Sequence, residues 1–219
     1  MKNPLVSCLM LTYNRFKPFK SAVYNFMNQT HDNKELIIVN SGDDNYIKKV
    51  DKFLSTIDTT NIRVIVQTPT TLGELRNNGL DECSGEYVMI FDDDDYHNSE
   101  RIKRQLSLCL TSESIHGTLL RNFKAVYKNK WFGKKKYNCT MLAGLEGTLL
   151  FKLSDIRYPD MNQGEDTTFL QSLKDGGHNI VIIDEPYELY EYNFHGGNTV
   201  NKRHFEIMIN NNKPLRSEL

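Results

Sequence analysis

Short apolar runs alternate with amphipathic helical patterns through the first half of the sequence, and this alternation limits the possible folds more than any other feature. The apolar runs occupy residues 5–12, 35–40, 61–67 and 86–92. The helical patterns occupy residues 18–29, 45–56, 72–83 and 99–110. Continuous apolar runs are typical of strands that are buried on both faces, as in parallel sheets. The sequence therefore predicts an α/β fold with a mostly parallel, doubly wound sheet and helices on both faces.

The pattern changes after residue 110. The stretch "GTLLRNFKAVYKNKWFGKKKYNCTML" alternates poorly and contains a glycine turn, which predicts antiparallel strands or a hairpin. A further strand is predicted at residues 147–152 and a helix at about 165–175. We expect this mixed or antiparallel part to continue the same sheet. Residues 1–219 would then form a single domain, with one half up to about residue 110 and the other from about residue 111.

Composition and charge argue against several classes of protein. The formal net charge is −1, so no overall field attracts the chain to nucleic acid or to an anionic membrane. No apolar run approaches the roughly 18 residues that span a bilayer, and "MKNPLVSCLMLTYNR" lacks a secretory cleavage site. The four cysteines have no CxxC spacing, which favours free thiols. We expect a soluble, cytoplasmic protein with no transmembrane segment and no nucleic-acid partner.

Polar clusters follow three of the predicted strands, at the edge where open α/β sheets bind ligands. They are "TYNR" at 12–15, "NSGDDN" at 40–45 and four consecutive aspartates at 92–95. Adjacent carboxylates repel one another, especially beside a buried strand, so the aspartate run requires a positive partner. Oxygen ligands favour Mg²⁺ or Mn²⁺, and such an ion bridging a diphosphate would neutralise the aspartates. A solvated acidic loop is the alternative explanation.

Four segments together resemble the family 2 glycosyltransferases of the A-type, Rossmann-like fold. They are "LTYNR", "ELIIVNSGDDN", "LGELRNNGLDECSGEYVMIFDDDD" and "GEDTTFL", and the resemblance covers about residues 4–200. It implies a metal-dependent, inverting enzyme that moves a sugar from a nucleoside-diphosphate sugar to a hydroxyl of a glycan or other acceptor. It also implies Mn²⁺ or Mg²⁺ as cofactor, a nucleotide-sugar-binding first half and an acceptor-binding second half.

The resemblance assigns roles to particular residues. The residues expected to contact the nucleotide are Thr12, Tyr13, Asn14, Arg15, Arg76, Asp92 and Asp93. Asp94 is expected to bind the metal, and His195 in "YNFHGGNTV" to touch the metal or the diphosphate. Glu165 and Asp166 are the expected catalytic pair, in which Asp166 deprotonates the acceptor hydroxyl. From the residues alone, these two acids could instead simply favour the start of a helix.

One departure from the family concerns the nucleotide base. Many members carry an acidic pair after the second strand, with an aspartate that contacts uracil, whereas this chain has Asn40 and Ser41 there. The nearest carboxylates are Asp43 and Asp44. Serine and asparagine side chains can donate as well as accept hydrogen bonds. We expect Ser41 to contact the nucleotide, UDP-sugars to be favoured, and discrimination between bases to be weaker than in members with the aspartate.

Other functions are compatible with parts of the sequence. A sugar-phosphate nucleotidylyltransferase has a related fold, but it usually has a glycine-rich loop after the first strand, and "TYNRFKPFK" contains no glycine. A catalytically silent module that binds sugar nucleotides or glycans is the second alternative, against which the intact pair Glu165 and Asp166 argues. The basic run at 128–137 could contact an anionic acceptor or form a solvated hairpin, and Trp131 could stack on a sugar or pack on the sheet.

Overall fold

The computed structural model describes residues 2–129 and 133–195, together with positions 206 and 209. The helices are α1 (Phe16–Met27), α2 (Asp44–Leu54), α3 (Leu72–Asp81), α4 (Arg101–Cys109) and α5 (Glu165–Asp175). The strands are β1 (Val6–Thr12), β2 (Lys34–Asn40), β3 (Ile62–Val66), β4 (Tyr87–Ile90), β5 (Tyr96–His97), β6 (Gly117–Leu120), β7 (Asn122–Asn129), β8 (Gly133–Thr140), β9 (Leu150–Lys152), β10 (Ile180–Ile183) and β11 (Tyr190–Phe194). Short 3₁₀ turns lie at Glu146–Thr148 and Tyr187–Leu189.

The larger of two sheets has seven strands in the order β10-β6-β9-β4-β1-β2-β3. β1 pairs in parallel with β2 and β4, β2 with β3, and β6 with β10. β9 runs antiparallel to its neighbours β4 and β6. The chain proceeds outward from β1 to β3 and then returns to β4 on the other side of β1. The strand order therefore reverses between β1 and β4, and the carboxyl ends of these two strands define the expected ligand-binding edge.

Helices cover both faces of the larger sheet because its central strands are apolar on both sides. On one face, α1, α2 and α4 place Phe26, Val50 and Ile102 in a buried cluster with alternate residues of β1 and β2. On the other face, α3 and α5 place Leu75 and Phe169 in a second cluster with the intervening residues of those strands. The prediction of a mostly parallel sheet with helices on both faces is confirmed.

The residues after β6 follow the predicted mixed arrangement only in part. β6, β9 and β10 extend the larger sheet, and β7 and β8 form the predicted antiparallel hairpin. The prediction that this hairpin continues the same sheet is wrong, because it belongs to a separate sheet of four strands in the order β5-β11-β7-β8. That sheet is completed by β11, which pairs with β7 and with the two-residue strand β5. These pairings join residues far apart in the chain, so no local sequence pattern predicts them.

Two element boundaries also differ from the prediction. β4 ends at Ile90, so the aspartate run lies wholly in the following loop and not at the last position of the strand. The predicted strand at 147–152 is a 3₁₀ turn followed by β9. Trp131 and the part of "YNFHGGNTV" after His195 lie outside the described residues. In the described part of the chain, no helix is long and apolar enough to cross a membrane.

Candidate active site

The aspartate run follows β4 at the reversal of strand order, and Arg15 provides one of its positive partners. Thr12, the last residue of β1, donates a hydrogen bond from Oγ1 to Asp93 Oδ2 at 2.6 Å. Arg15, just before α1, places Nη2 2.6 Å from Asp93 Oδ1 and Nη1 2.5 Å from Asp94 Oδ2. The planar fork of a guanidinium suits two neighbouring carboxylates. Two residues predicted to contact the nucleotide therefore also hold the aspartate loop in place.

Asp95 is buried and connects the loop to the smaller sheet. The Tyr190 hydroxyl donates to Asp95 Oδ2, and the backbone N–H of Asn193 donates to Oδ1 at 2.7 Å. Burial, followed by the charges of the neighbouring aspartates, raises the pKa of Asp95 well above its usual value. Both donors belong to β11. Asp95 therefore fixes the position of the loop against the smaller sheet, which is a structural role.

Arg101 on α4 is a further positive charge beneath the loop. Its side chain is fully buried, its Nε donates to Gln105 Oε1 at 3.0 Å, and its Nη1 donates to His97 Nδ1. His97 therefore carries its proton on Nε2, which donates to the main-chain oxygen of Asp92 at 2.9 Å. Burial and the charge of Arg101 lower the pKa of His97 well below its usual value, so the ring is neutral. Arg101 thus fixes the backbone at Asp92 through His97.

A second group of charges surrounds Arg76 on α3. Its Nε lies 3.2 Å from Asp166 Oδ1 and 3.8 Å from Glu165 Oε1, and its Nη1 lies 3.8 Å from Asp92 Oδ1. Glu165 and Asp166 open α5 directly after Gly164, whose φ of 76° lies in the left-handed region that favours glycine. The predicted catalytic pair is therefore close to Asp92, with Arg76 between them.

Burial alters the proton affinity of the acids around both arginines. It raises the pKa of Asp93 to about 7, against the opposing charge of Arg15. It also raises the pKa of Asp92 and of Asp166, and on each of them Arg76 acts in the opposite direction. Titratable groups with such perturbed pKa values are concentrated at functional sites.

Asp94 and His195 are the predicted metal ligands, and their side chains meet. His195 Nε2 lies 2.9 Å from Asp94 Oδ2. Although burial opposes ionisation, the hydrogen bond with His195 and the charge of Arg15 lower the pKa of Asp94. A carboxylate oxygen suits Mg²⁺ or Mn²⁺ and histidine is a common metal ligand, so these two side chains would hold such a cation.

The remaining ligands of a bound cation would come from the substrate and from water. Among the residues that the structure describes, no group of three or more His, Cys, Asp or Glu side chains is arranged to hold a metal ion. Ions of this type commonly use one or two protein carboxylates and complete their shell with phosphate oxygens and water. The donor set of Asp94 and His195 therefore fits a cation that arrives with a diphosphate.

The turns after β1 and β2 lie side by side. Asn14 has a φ of 53°, and its Oδ1 accepts a hydrogen bond from the N–H of Asp43 at 3.1 Å. The N–H of Ser41 donates to the main-chain oxygen of Thr12 at 3.1 Å. The Asp43 carboxylate caps α2 by accepting from the N–H of Tyr46 at 2.8 Å. Ser41 thus adjoins the predicted nucleotide-contacting residues, whereas the nearest carboxylate, that of Asp43, is used to cap α2.

The predicted site residues fall into three adjoining groups. One connected cluster contains Thr12, Arg15, Asp93, Asp94 and His195. The ion pairs of Arg76 define the other cluster, with Asp92, Glu165 and Asp166. Asn14 and Ser41 belong to the paired turns, and Tyr13 is at the surface, with 53% of the residue exposed.

Three supporting residues were not among the predicted ones: Arg101, His97 and Tyr190. An arginine on an amphipathic helix usually faces solvent, so the sequence gives no sign that Arg101 is buried. His97 follows the aspartate run by two positions, and that spacing is the only local signal for it. Tyr190 reaches Asp95 across 95 positions of the chain, which the sequence does not reveal.

Comparison with known proteins identifies relatives of this chain. Residues 7–153 match the model of the family described as Glycosyl transferase family 2. An uncharacterized glycosyltransferase of Haemophilus influenzae is 26% identical over 83% of this chain and 76% of its own length. The putative glycosyltransferase EpsH of Bacillus subtilis is 31% identical over 48% of this chain, and only 30% of EpsH is covered.

Solved structures show the same fold. The structure of S. aureus TarS 1-349 in complex with UDP-GlcNAc matches 89% of this chain with a TM-score of 0.70 and 20% identity. The mannosyltransferase PcManGT from Pyrobaculum calidifontis, in complex with GDP-Man and Mn²⁺, matches 94% with a TM-score of 0.68 and 14% identity. This chain spans 60% of each of those two structures. The predicted A-type, Rossmann-like fold is confirmed.

Proposed function

The chain belongs to glycosyl transferase family 2, and we propose that it moves a sugar from a nucleoside-diphosphate sugar to an acceptor hydroxyl, with inversion at the anomeric carbon. The prediction of a glycosyltransferase is confirmed at the level of the family. The observation that best supports the proposed reaction is the position of Asp166, which shares the Arg76 guanidinium with Asp92 of the aspartate loop. A base on one side and a diphosphate site on the other are what an in-line displacement requires.

We propose that the donor nucleotide occupies the carboxyl ends of β1, β2 and β4. The contacts would come from the exposed ring of Tyr13, from the paired turns that contain Asn14 and Ser41, and from the aspartate loop. We favour UDP-sugars as donors, in keeping with the TarS structure in complex with UDP-GlcNAc. GDP-sugars are the alternative donors, because PcManGT is solved in complex with GDP-Man. The second half of the chain, which contains Asp166, would bind the acceptor.

The cofactor in this proposal is Mn²⁺ or Mg²⁺, held by Asp94 and His195. When it is bound, the cation stabilises the negative charge that develops on the departing diphosphate. Arg15, which contacts Asp93 and Asp94, keeps the aspartate loop in the conformation that presents Asp94.

Asp166 acts as the general base. It accepts the proton of the acceptor hydroxyl while that oxygen forms a bond to the anomeric carbon. The bond from the anomeric carbon to the diphosphate oxygen breaks, and its electron pair leaves with the nucleoside diphosphate. The Asp166 side chain is 32% exposed, so an acceptor can reach it. Glu165 is buried beside Arg76 and supports the start of α5.

A glycan is the proposed acceptor and the cytoplasm the proposed location; both remain predictions. The two alternatives differ from the main proposal in what they consume and release. A nucleotidylyltransferase would release pyrophosphate from a nucleoside triphosphate and a sugar phosphate, whereas a silent module would bind a nucleotide sugar without turnover. No observation on the described residues favours either alternative over the transferase.

A thermal-shift panel of nucleoside diphosphates and nucleotide sugars with Mn²⁺ tests donor binding. A ligand at 100 times its dissociation constant adds about 2.7 kcal/mol of stability. The stabilising nucleotide sugars are then incubated with the protein, and the release of free nucleoside diphosphate is measured. Stabilisation followed by release supports the transferase. Stabilisation without release under any condition, or pyrophosphate release from a triphosphate, would contradict it.

A further inference from the structure

Arg76 is buried between acids that the proposed reaction assigns to opposite tasks. Only 5% of the residue is exposed. Its guanidinium faces Asp166 with two atoms, Nε at 3.2 Å from Oδ1 and Nη2 at 3.5 Å from Oδ2. Asp92 and Glu165 are farther away, each at 3.8 Å. Asp166 is therefore its nearest charged partner among the described residues, although the family resemblance implied that Arg76 closes the nucleotide pocket.

The position of Arg76 is fixed from both sides. Asn77, the next residue of α3, donates from Nδ2 to the main-chain oxygen of Tyr158 at 2.9 Å and accepts from its N–H at 2.8 Å. The Tyr158 ring lies 5.4 Å from the Arg76 guanidinium carbon and stacks on Phe169 of α5 at 3.8 Å. The guanidinium is thus held relative to α5, the helix that begins with Glu165 and Asp166.

The charges around Asp166 make Arg76 its main source of positive potential. Asp92 from the loop after β4 and Glu146 from the 3₁₀ turn both raise the pKa of Asp166, and burial raises it most. Arg76 alone among the groups that shift this pKa lowers it. Without the arginine, Asp166 would retain its proton to higher pH and would have no partner fixing its orientation.

We infer that Arg76 is a positioning residue for the base of the proposed reaction, which orients the Asp166 carboxylate and keeps it ionised, and that it is not primarily a contact of the nucleotide. Since Arg76 also faces Asp92, it ties the position of the base to that of the aspartate loop. This inference rests on the proposed function, because Asp166 is a base only if the chain transfers sugars.

The test compares Arg76→Lys and Arg76→Gln with wild type, using UDP-GlcNAc and GDP-mannose with Mn²⁺ as donors and water as acceptor. Release of UDP or GDP is followed across a range of pH. Arg157→Gln is the matched control, because it removes another arginine that pairs with α3, at 2.8 Å from Asp81, away from the site. Thermal unfolding of each variant establishes that it is folded.

For Arg76→Gln we expect the acidic limb of the kcat profile to move to higher pH by about 1–3 units, the usual effect of one nearby charge on a carboxylate. The donor KM should stay within a few-fold of wild type, and raising the pH should restore part of the rate. Arg76→Lys keeps a positive charge, so the acidic limb of its kcat profile should move less than that of Arg76→Gln. Because lysine lacks the planar fork that orients Asp166, kcat should still fall by about 10–100-fold. Arg157→Gln should match wild type in both quantities.

Three results would overturn the inference. An increase in donor KM with an unchanged kcat profile would place Arg76 in the nucleotide pocket. A lower kcat with no movement of the limb in either variant would exclude control of the base. Failure of both variants to fold would make Arg76 a structural residue. Failure of the proposed function is read separately, in the wild-type protein, as absence of UDP and GDP release, and the inference would then fall with it.

Discussion

Replacement of the buried Arg101 by methionine should destabilise the protein markedly. The change removes the donors to Gln105 Oε1 and His97 Nδ1 and leaves both acceptors buried without them. Each such acceptor costs about 1–3 kcal/mol, which gives about 2–6 kcal/mol in total. Burying the guanidinium carries a desolvation penalty in the wild-type protein, and the methionine variant does not have it. This offsets part of the loss, so we expect a destabilisation in the lower part of this range, about 2–4 kcal/mol. That is a large fraction of the roughly 5–15 kcal/mol that stabilises a typical domain.

Equilibrium unfolding in urea, followed by circular dichroism, measures this loss. Arg104→Met is the matched control on the same helix, because Arg104 makes a surface ion pair with Glu185 at 2.9 Å. Surface pairs of this kind contribute about 0–1 kcal/mol, so the control should unfold close to wild type. If the urea unfolding curve of Arg101→Met has the wild-type midpoint and slope, the hydrogen bonds of Arg101 do not stabilise the protein.

Two further predictions concern the site, and a third concerns the packing of α3. Asp166→Asn should slow transfer by about 10²- to 10⁴-fold and leave donor affinity within a few-fold, as for loss of a general base; a large loss of donor affinity at an unchanged saturating rate would contradict it. Ser41→Asp should improve selectivity for UDP over other nucleoside diphosphates by about 1.5–3 kcal/mol in calorimetric titrations. If the wild type is already strongly selective for one nucleotide base and the substitution does not change this, other residues recognise the nucleotide base. Gly73→Ala should lower stability by about 1–3 kcal/mol in thermal unfolding, since a Cβ there would lie 1.8 Å from Pro159 O; wild-type stability would contradict this close approach.

Local patterns were sufficient to predict β1 to β4 of the larger sheet, but not β10, for which no strand was predicted. The apolar runs and the helical periodicities between them involve residues close together in the sequence. The central strands and helices form at the positions that these patterns predict. The smaller sheet depends on contacts such as that of Glu191 with Lys124, which no local pattern encodes. For the same reason the sequence predicted a hairpin around residues 117–142 but not the sheet that receives it.

The candidate site divides in the same way. The aspartate run stands out as like charges directly after an apolar run, so the sequence indicated it directly, whereas the pair at 165–166 was assigned only through the family resemblance. The source of compensating positive charge was less evident. A divalent cation was predicted, whereas the structure also places Arg15, Arg76 and Arg101 around the acids. Their approach depends on how three separate helices pack, which is a property of the tertiary structure.

The most direct test of the central claim is the cation dependence of nucleoside-diphosphate binding. UDP and GDP are titrated calorimetrically into wild type, Asp94→Ala and the control Asp175→Ala, each with and without Mn²⁺; Asp175 is an exposed acid at the far end of α5. We expect at least one diphosphate to bind wild type and the control with Mn²⁺, and its affinity to fall about 100-fold or more when Mn²⁺ is withheld or Asp94 is removed, which is about 2.7 kcal/mol. Equal affinity with and without the cation in all three proteins, or no binding of either diphosphate to wild type, would contradict the claim.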